Sequence, residues 1–299
     1  MVTWACVPSA RPQPPGTLFK VLDIPYAKID RHPGLAMEVC TGKWDVVLIR
    51  GVFAKKTMNA ALKKLLDGEH GLSLSPQWTA DLSVPQVVIY GESITPNDVD
   101  KENEPEKRID RYHKGALAFR KRCRALFDGV EDYETRIEEL FRVVGRPCKS
   151  RVPADENGRK FTPSTIRRVD PGCEMNLHVG NYFYTTPTYN YLATLFAPLD
   201  QLSFFIPVSP PESGGTLEVF ELTYGDPRTP TLADGRFDAA KIEREFRFEP
   251  FAPDKGDMFL FNGGKYYHRV DHVVGKKPRW TIGGFVAYAK DPRVLYHWG

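Results

Sequence analysis

The sequence predicts an α+β fold with a double-stranded β-helix core, a jelly roll of the cupin type. From about residue 161 onwards, short apolar or alternating runs are separated by Gly, Pro, Asn and Asp, a pattern typical of strands joined by turns. Before that point, many apolar residues recur with helical spacing. We therefore expect helices in the N-terminal half to support a C-terminal β-roll.

The N-terminal half alternates strand-like and helical patterns. Strands are expected in 44–53 and 84–91 because both segments are largely apolar. The segment "KKTMNAALKKLLDG" (55–68) has apolar residues at helical spacing and ends in a glycine typical of a helix C-cap. Two further helices are expected at about 105–127 and 131–144, the second with a continuous apolar face.

Seven strands are predicted in the C-terminal half. They fit a double-sheet jelly roll better than a helical or βαβ fold, because turn residues separate them at short intervals. A short helix is expected between two of the strands, in 186–196. The strands are expected within "STIRRV", "EMNLHV", "QLSFFIPV", "TLEVFELT", "DMFLFN", "YYHRVDHVV" and "RWTIGGFVAYA".

Composition restricts the class of protein. With 299 residues, 41% of them hydrophobic and 26% charged, we expect one globular domain, 18–299, after a flexible tail, 1–17. A net charge of +3 is too small for binding a nucleic-acid polymer, although it would not repel an anionic small molecule. Five cysteines without a CxxC pair favour a reducing compartment, and no apolar run approaches membrane-spanning length. These features predict a cytoplasmic protein without a membrane partner.

Four polar residues in the predicted strands indicate an iron site. His178 and His268 lie in different strands, which a jelly roll can bring side by side, and ferrous iron in an oxygenase needs imidazoles on a rigid wall with open positions beside them. Arg279 and Thr281 share one strand face and suit the distal carboxylate of 2-oxoglutarate. Such enzymes normally carry a carboxylate two residues after the first histidine, and here that residue is Gly180.

Neighbouring residues leave alternatives to this ligand set. His272 shares the face of His268 by even spacing and competes with it as a ligand, whereas Asp271 falls on the opposite face and is expected to be structural. Asp170 and Glu174 precede the first histidine in sequence. Either carboxylate would complete a hydroxylase site if it reached the metal by a detour.

These segments resemble the iron(II)/2-oxoglutarate-dependent halogenases that act on free small molecules, and look most like the hapalindole-type alkaloid chlorinases. The resemblance covers roughly residues 19–298 and is most specific in "HVGN" and "FNGGKYYHRV". It implies that iron(II), 2-oxoglutarate, dioxygen and chloride take part, that no carrier protein is needed, and that chlorine replaces hydrogen at an unactivated carbon.

The resemblance also implies roles for individual residues. In that family, glycine or alanine at the carboxylate position leaves an iron site for chloride, so His178 and His268 would be the two protein ligands and Gly180 would leave room for the halide. One chloride then replaces the single negative charge of the missing carboxylate. Ser203 matches a serine that turns the iron-bound oxygen away from the substrate radical, and a hydroxyl merely buried against a sheet is the alternative. Arg167 is expected to steady the co-substrate or the chloride.

The substrate is less directly indicated. Residues 181–191 are dense in Tyr, Thr and Asn, and residues 107–124 carry eight Lys and Arg, for which a solvated helix face is the alternative. A polar lining and nearby basic groups favour a purine deoxynucleotide over an indole or terpenoid alkaloid, and halogenases resembling the alkaloid type chlorinate such nucleotides at the sugar 2′ carbon. The candidate substrate-contacting residues are Tyr182, Phe183, Tyr184, Gln86, Ser93, Arg108 and Arg111.

Three functional hypotheses follow. The first is a free-standing halogenase that prefers a nucleotide to an alkaloid. The second is a 2-oxoglutarate-dependent hydroxylase whose incomplete facial triad is completed by water. The third is a catalytically silent binding module, against which the presence of both histidines, Arg279 and Thr281 speaks.

Overall fold

Helices and strands alternate along the described part of the chain. The computed structural model describes residues 17–68, 86–91, 105–127, 133–186 and 189–299. The α-helices are α1 Leu35–Cys40, α2 Lys55–Asp67, α3 Pro105–Leu126, α4 Tyr133–Val144, α5 Asn190–Leu195 and α6 Ala239–Glu245. Two 3₁₀ segments span Tyr26–Arg31 and Gly180–Thr185. The strands are β1 Val21–Pro25, β2 Val46–Arg50, β3 Val87–Tyr90, β4 Lys149–Arg151, β5 Thr165–Val169, β6 Met175–His178, β7 Leu202–Ser209, β8 Ser213–Gly214, β9 Leu217–Thr223, β10 Phe248–Phe251, β11 Met258–Phe261, β12 Tyr266–Val270, β13 Val273–Val274, β14 Arg279–Tyr288 and β15 Val294–Trp298.

The N-terminal helices cover one face of a large sheet. The prediction of a helix over 55–68 is confirmed by α2, which ends where Gly68 takes the left-handed conformation (φ 70°) that glycine adopts without strain. Buried Met58 of α2 and Phe141 of α4 pack in one cluster with Leu260 of the large sheet. The helical spacing of the apolar residues therefore explains which helix faces cover the sheet.

Two sheets form the β-roll. In the described part of the chain, the large sheet runs in the order β1-β2-β11-β7-β14-β15-β4, with β5 paired to β14 and β3 paired to β5. The small sheet runs in the order β10-β9-β12-β6, and β13 pairs with β8. Most pairs are antiparallel, whereas β1–β2 and β15–β4 are parallel.

Alternation along the strands places the core between the sheets. On β11, Leu260 faces the helices, while Phe259 and Phe261 join a cluster with Val219 of β9 and Val270 of β12. The two inner faces thus meet in an aromatic and aliphatic layer, as expected for a jelly roll. His268, two residues before Val270, points into the same layer because side chains alternate along a strand.

The predicted strands and helices agree with these elements, although the structure contains further ones. Each of the seven predicted C-terminal strand segments contains a strand, and the short helix expected over 186–196 is confirmed in its second half as α5, preceded by the 3₁₀ segment Gly180–Thr185. The elements that were not predicted are the strands β1, β4, β8, β10 and β15 and the helices α1 and α6. Among them, β4 is a short polar edge strand and β10 contains a proline. The predicted tail lies outside the described residues apart from its last one. None of the described helices is both long and apolar enough to cross a bilayer.

Replacing Phe259 with alanine should lower the free energy of unfolding by about 3–5 kcal/mol, because it leaves a cavity between the sheets. The Phe259 ring is fully buried and its centroid lies 4.9 Å from that of Phe251 and 5.3 Å from that of Phe205. Urea denaturation measures the change. Leu117→Ala is the control, because this side chain is 76% exposed and its loss should cost under about 0.5 kcal/mol. Equal losses in both variants would contradict the assignment of the core.

Candidate metal centre and co-substrate site

Two histidines face each other across neighbouring strands of the small sheet. Strands β6 and β12 are antiparallel, and their register pairs His178 with His268. Directly opposed residues point to the same face of a sheet, and the two ring centroids are 4.2 Å apart at an interplanar angle of 57°. The ring of the buried His268 also contacts Phe261, which faces the space between the sheets. The fold thus unites two side chains that are far apart in sequence.

Each imidazole is fixed by a hydrogen bond to its own strand. Nδ1 of His178 donates to the Asn176 carbonyl oxygen (2.7 Å), and Nδ1 of His268 donates to that of Tyr266 (2.8 Å). Nδ1 carries the proton because a carbonyl oxygen can only accept. Burial lowers the pKa of His178 to about 4 and the pKa of His268 well below its usual value, so both rings are neutral. The lone pair on each Nε2 is then available to a metal.

The residue two positions after His178 lies against a turn of the chain. The amide of Gly180 donates to the carbonyl oxygen of Gly263 (2.8 Å). A Cβ at Gly180 would lie 2.6 Å from Nε2 of Gln201 and 3.1 Å from the Gly263 oxygen, closer than ordinary contacts allow. A side chain here would require its neighbours, above all the end of Gln201, to move, so glycine has a packing role at this position.

The carboxylate of Asp200 links the two loops that contain Gly180 and Gly263. Asp200 accepts from the side-chain amides of Asn181 (2.7 Å) and Asn262 (3.0 Å). The backbone amide of Asn181 donates to the carbonyl oxygen of Gly264 (3.1 Å). The motifs "HVGN" and "FNGG" are thus held together by side-chain and backbone hydrogen bonds, which explains why both motifs occur in one site.

A third protein ligand is absent from the described residues, since none of their His, Cys, Asp or Glu side chains completes a group of three. The detour considered for Asp170 and Glu174 is not realised. Asp170 pairs with Arg168 at 2.8 Å, and a carboxylate oxygen of Glu174 lies 3.1 Å from Nδ1 of His272. Both carboxylates are therefore engaged with other partners.

His272 is separated from the histidine pair. Strand β12 ends at Val270, so the even spacing that placed His272 on the face of His268 does not hold beyond that residue. The His272 side chain is 45% exposed and lies beside Glu174. His268 is therefore the residue that faces His178.

Arg279 brings a buried positive charge to the start of β14. Its side chain is 7% exposed, and its guanidinium carbon lies 5.1 Å from the ring centroid of Phe205. Burial and, to a smaller extent, nearby Arg167 together lower the pKa of Arg279 to about 10, and no carboxylate among the described residues offsets either effect. A buried guanidinium of this kind favours an anionic ligand that it can bind through two hydrogen bonds.

Arg167 lies near both the histidines and Arg279. Strand β5 pairs with β14, and the register sets Arg167 opposite the buried Thr281. After the larger effect of burial, the positive charge of Arg167 also contributes to lowering the pKa of His178, His268 and Arg279. These electrostatic contacts place Arg167 within reach of both parts of the site.

A cavity of about 280 Å³ opens beside Arg279. Its size is close to the lower end of the range for small-molecule sites, roughly 300 Å³. Phe205, Gly215 and Phe251 line it with Arg279, whereas the two histidines lie outside its walls. The cavity therefore gives a small anion room beside the guanidinium.

Two buried polar side chains, those of Ser203 and Gln201, lie at or directly before the start of strand β7 in the large sheet. Ser203, singled out from the sequence, is buried, and its Oγ has no hydrogen-bond partner within the described ranges. Gln201 was not singled out. It is fully buried, and both atoms of its amide likewise lack a partner in the described chain. Gln201 lies two positions before Ser203 in the predicted strand segment. This spacing was the only signal in the sequence that could have pointed to Gln201.

The predicted substrate residues are distributed over several elements. Tyr182 is 45% exposed, Phe183 is buried in an aromatic cluster with Tyr189, and Tyr184 is partly buried. The backbone amide of Gln86 donates to the Asp170 carboxylate (3.1 Å).

The remaining predicted substrate residues lie near α3 or outside the described part. Arg111 is partly buried on α3. The side chain of Arg108 and the whole of Ser93 lie outside the described residues. Strand β3 pairs with β5 and sets Ile89 opposite Arg167, so this strand lies beside the site.

A family model decides the relationship of the chain to known proteins. The model of the carrier-protein-independent halogenase WelO5 matches residues 18–299. The chain belongs to the WelO5 family. Membership supports a substrate that reaches the site without a carrier protein, and the prediction of this halogenase family is confirmed at that level. No curated protein sequence matches the chain significantly.

Solved structures place the WelO5-family chain in the fold of 2-oxoglutarate oxygenases. It is similar to an N-substituted L-amino acid dioxygenase from Burkholderia ambifaria, with a TM-score of 0.53, 14% identity and coverage of 87% of this chain and 89% of the other. The complex of that dioxygenase with α-ketoglutarate gives a TM-score of 0.52, 13% identity and the same coverage. This likeness concerns the fold alone and agrees with the α+β prediction, whereas the family match supports an iron/2-oxoglutarate oxidoreductase.

Proposed function

We propose that this protein is an iron(II)/2-oxoglutarate-dependent halogenase that replaces hydrogen with chlorine at an unactivated carbon of a free small molecule. One observation carries the proposal. His178 and His268 face each other with Nδ1 already hydrogen-bonded, while the usual carboxylate position holds Gly180. A two-histidine centre has one more open position than a facial triad, and a halide can take it.

The side chains fit the groups that the family implies. His178 and His268 would hold iron(II) through Nε2, and Arg279 with Thr281 would hold the distal carboxylate of 2-oxoglutarate. With dioxygen, bound iron and 2-oxoglutarate supply the oxidant that removes a hydrogen atom from the substrate. The charge of Arg167 favours an anionic co-substrate near the histidines. The apolar layer between the sheets keeps water from the reacting carbon.

We assign the halide position to the space beside Gly180. Ser203 packs against Gly263, the hydrogen-bond partner of Gly180, and its buried hydroxyl has no partner in the described part of the chain. That hydroxyl is free to donate to a ligand in the site, in agreement with the role that the resemblance implies for it.

For the substrate class, we propose a purine deoxynucleotide. Tyr182 exposes an aromatic face next to Gly180, and the hydroxyl of Tyr184 has no partner among the described residues. On the basic helix α3, Arg120 and Arg124 already pair with Glu134. Both side chains are therefore engaged within the protein, and we do not assign them to the substrate.

Arg111 and Arg108 are the arginines that we assign to the phosphate. A phosphate bound by these guanidinium groups would gain charge-assisted hydrogen bonds. An indole or terpenoid alkaloid remains the competing substrate class.

Aerobic turnover with iron(II), 2-oxoglutarate and chloride tests the reaction. Mass spectrometry of products from 2′-deoxyadenosine monophosphate should show replacement of one hydrogen by chlorine, with succinate formed in step. Hydroxylated product alone would favour the hydroxylase hypothesis. An absence of iron binding would contradict the proposal altogether.

A thermal-shift screen tests the substrate class separately. Under argon, with iron(II) and 2-oxoglutarate present, a nucleotide that binds the folded state should raise the unfolding midpoint. Deoxyadenosine without phosphate is the matched control for the contribution of the arginines. A shift produced by an indole alkaloid and by no nucleotide would overturn the nucleotide assignment.

Replacing Gly180 with aspartate should reduce chlorination at least ~100-fold, because a carboxylate would take the halide position and repel the anion. Any surviving activity should be hydroxylation. The product ratio by mass spectrometry measures this outcome.

Gly180→Ala is the matched control for crowding, since it brings the same Cβ towards Gln201 without the charge. It should retain more chlorination than the aspartate variant. Undiminished chlorination by Gly180→Asp would refute the halide position.

A further inference from the structure

The fully buried carboxamide of Gln201 has no hydrogen-bond partner in the described chain. Neither its Oε1 nor its Nε2 is satisfied, although the side chain is 0% exposed. Its backbone, in contrast, is engaged, since its carbonyl oxygen accepts from Gly264 (2.7 Å) and its amide donates to Asn181 Oδ1 (3.3 Å). An unpaired buried amide costs about 1–3 kcal/mol, and such groups commonly have a ligand.

The unpaired amide faces the space beside the histidine pair. Nε2 of Gln201 lies 2.6 Å from the point that a Cβ of Gly180 would occupy. In an enzyme with a full triad, the carboxylate would begin at that point. The unpaired N–H groups therefore lie beside the place that a ligand would take instead of that carboxylate.

Ser203 adds a second unpaired donor nearby. It follows Gln201 by two residues along the chain. Its Oγ lies where a Cβ of Gly263 would have to go, and it too lacks a partner in the described ranges. The carbonyl oxygen of Gly263 accepts from the amide of Gly180 (2.8 Å), so Ser203 packs against a direct neighbour of Gly180.

We propose that Gln201 is the halide-binding residue of this protein, its Nε2–H donating to the chloride beside Gly180. The assignment rests on the proposed halogenase function. A neutral amide suits this task because its N–H attracts an anion while it adds no charge that would compete for iron. In a buried site of low dielectric, such a bond is stronger than in water. Chloride in turn satisfies the donor, which offsets the cost of burying it.

Chloride titration under argon tests the proposal without turnover. The charge-transfer absorbance of the protein with iron(II) and 2-oxoglutarate reports on ligands entering the iron site. In Gln201→Leu, the dissociation constant for chloride should rise roughly tenfold or more, as expected for loss of one hydrogen bond to an anion. The affinities for iron(II) and 2-oxoglutarate should change less than about twofold.

Two further variants keep the test independent of folding. Gln201→Met retains a flexible side chain of similar length without donors and should show the same loss if Leu fits poorly. Ser209→Ala, at the far end of β7, removes another buried hydroxyl and should leave chloride affinity unchanged. Thermal midpoints within a few degrees of wild type establish that each variant is folded.

The outcomes separate this inference from the proposed function. If wild-type protein shows no chloride-dependent change, the halogenase proposal fails. If wild type responds and both Gln201 variants bind chloride as wild type does, the assignment of Gln201 fails while the halogenase proposal stands. A parallel loss of iron affinity would mean that Gln201 acts on the metal ligands and would also overturn the assignment.

Discussion

Replacing His268 with alanine is expected to abolish iron(II) binding, whereas replacing His272 is expected to leave it intact. His268 is one of two facing imidazoles whose Nδ1 is hydrogen-bonded and whose Nε2 is available to a metal. Loss of an outer hydrogen bond to a ligand already costs 10–100-fold in metal affinity, so loss of one of two protein ligands should cost at least ~100-fold. Anaerobic titration of the apoprotein with iron(II) in the presence of 2-oxoglutarate measures the change.

The comparison with His272→Ala tests which of the two histidines is the metal ligand. His272 interacts with Glu174 at a partly exposed position, and His272→Ala should alter the iron dissociation constant by less than about twofold. Iron binding that survives His268→Ala but is lost in His272→Ala would reverse the assignment. Unchanged thermal midpoints of the two apoproteins would show that both remain folded.

Replacing Arg279 with leucine should weaken 2-oxoglutarate binding roughly 100-fold, because it removes a bidentate charge-assisted partner worth up to about 3 kcal/mol. Arg279→Lys keeps the charge but loses the planar fork, so its loss should be intermediate. Anaerobic titration of the iron(II) protein with 2-oxoglutarate gives both constants. Equal affinities in wild type and Arg279→Leu would contradict the co-substrate assignment.

The stability of the apoprotein gives a second readout for Arg279. Burial and Arg167 both disfavour the charge of this side chain, and no carboxylate in the described chain compensates. Leucine at this position should therefore leave the free energy of unfolding unchanged or increase it. A group retained for structure would show the opposite, since its removal would destabilise the fold.

Periodicity predicted the elements that have strong local patterns. Helix α2 has apolar residues at helical spacing and a terminal Gly68, and the central strands have alternating or continuous apolar residues. The edge strands β4 and β10 escaped prediction because their residues carry little apolar signal and depend on partners for their conformation. The even spacing between His268 and His272 predicted that both side chains share one face. This was wrong because strand β12 ends before His272.

The parts of the candidate site that could be predicted are those in which the type of residue by itself limits the possible chemistry. Two histidines, Arg279 and a glycine in place of a carboxylate pointed to the centre before any contact was known. The role inferred for Gln201 could be recognised only from the three-dimensional structure. It follows from burial, from the absence of a partner in the described chain and from proximity to Gly180, none of which is encoded in local spacing.

The carboxylate of Asp200, which binds both Asn181 and Asn262, restricts how this chemistry can evolve. It fixes the segments that follow His178 and precede His268 to each other, so the backbone of Gly263 and Gly264 has little freedom to move away from a side chain added at Gly180. Conversion between halogenation and hydroxylation should then require compensating changes, at Gly180 and Gln201 together, with strongly non-additive effects. A lineage that made only one of the two changes would pass through an enzyme poor at both reactions.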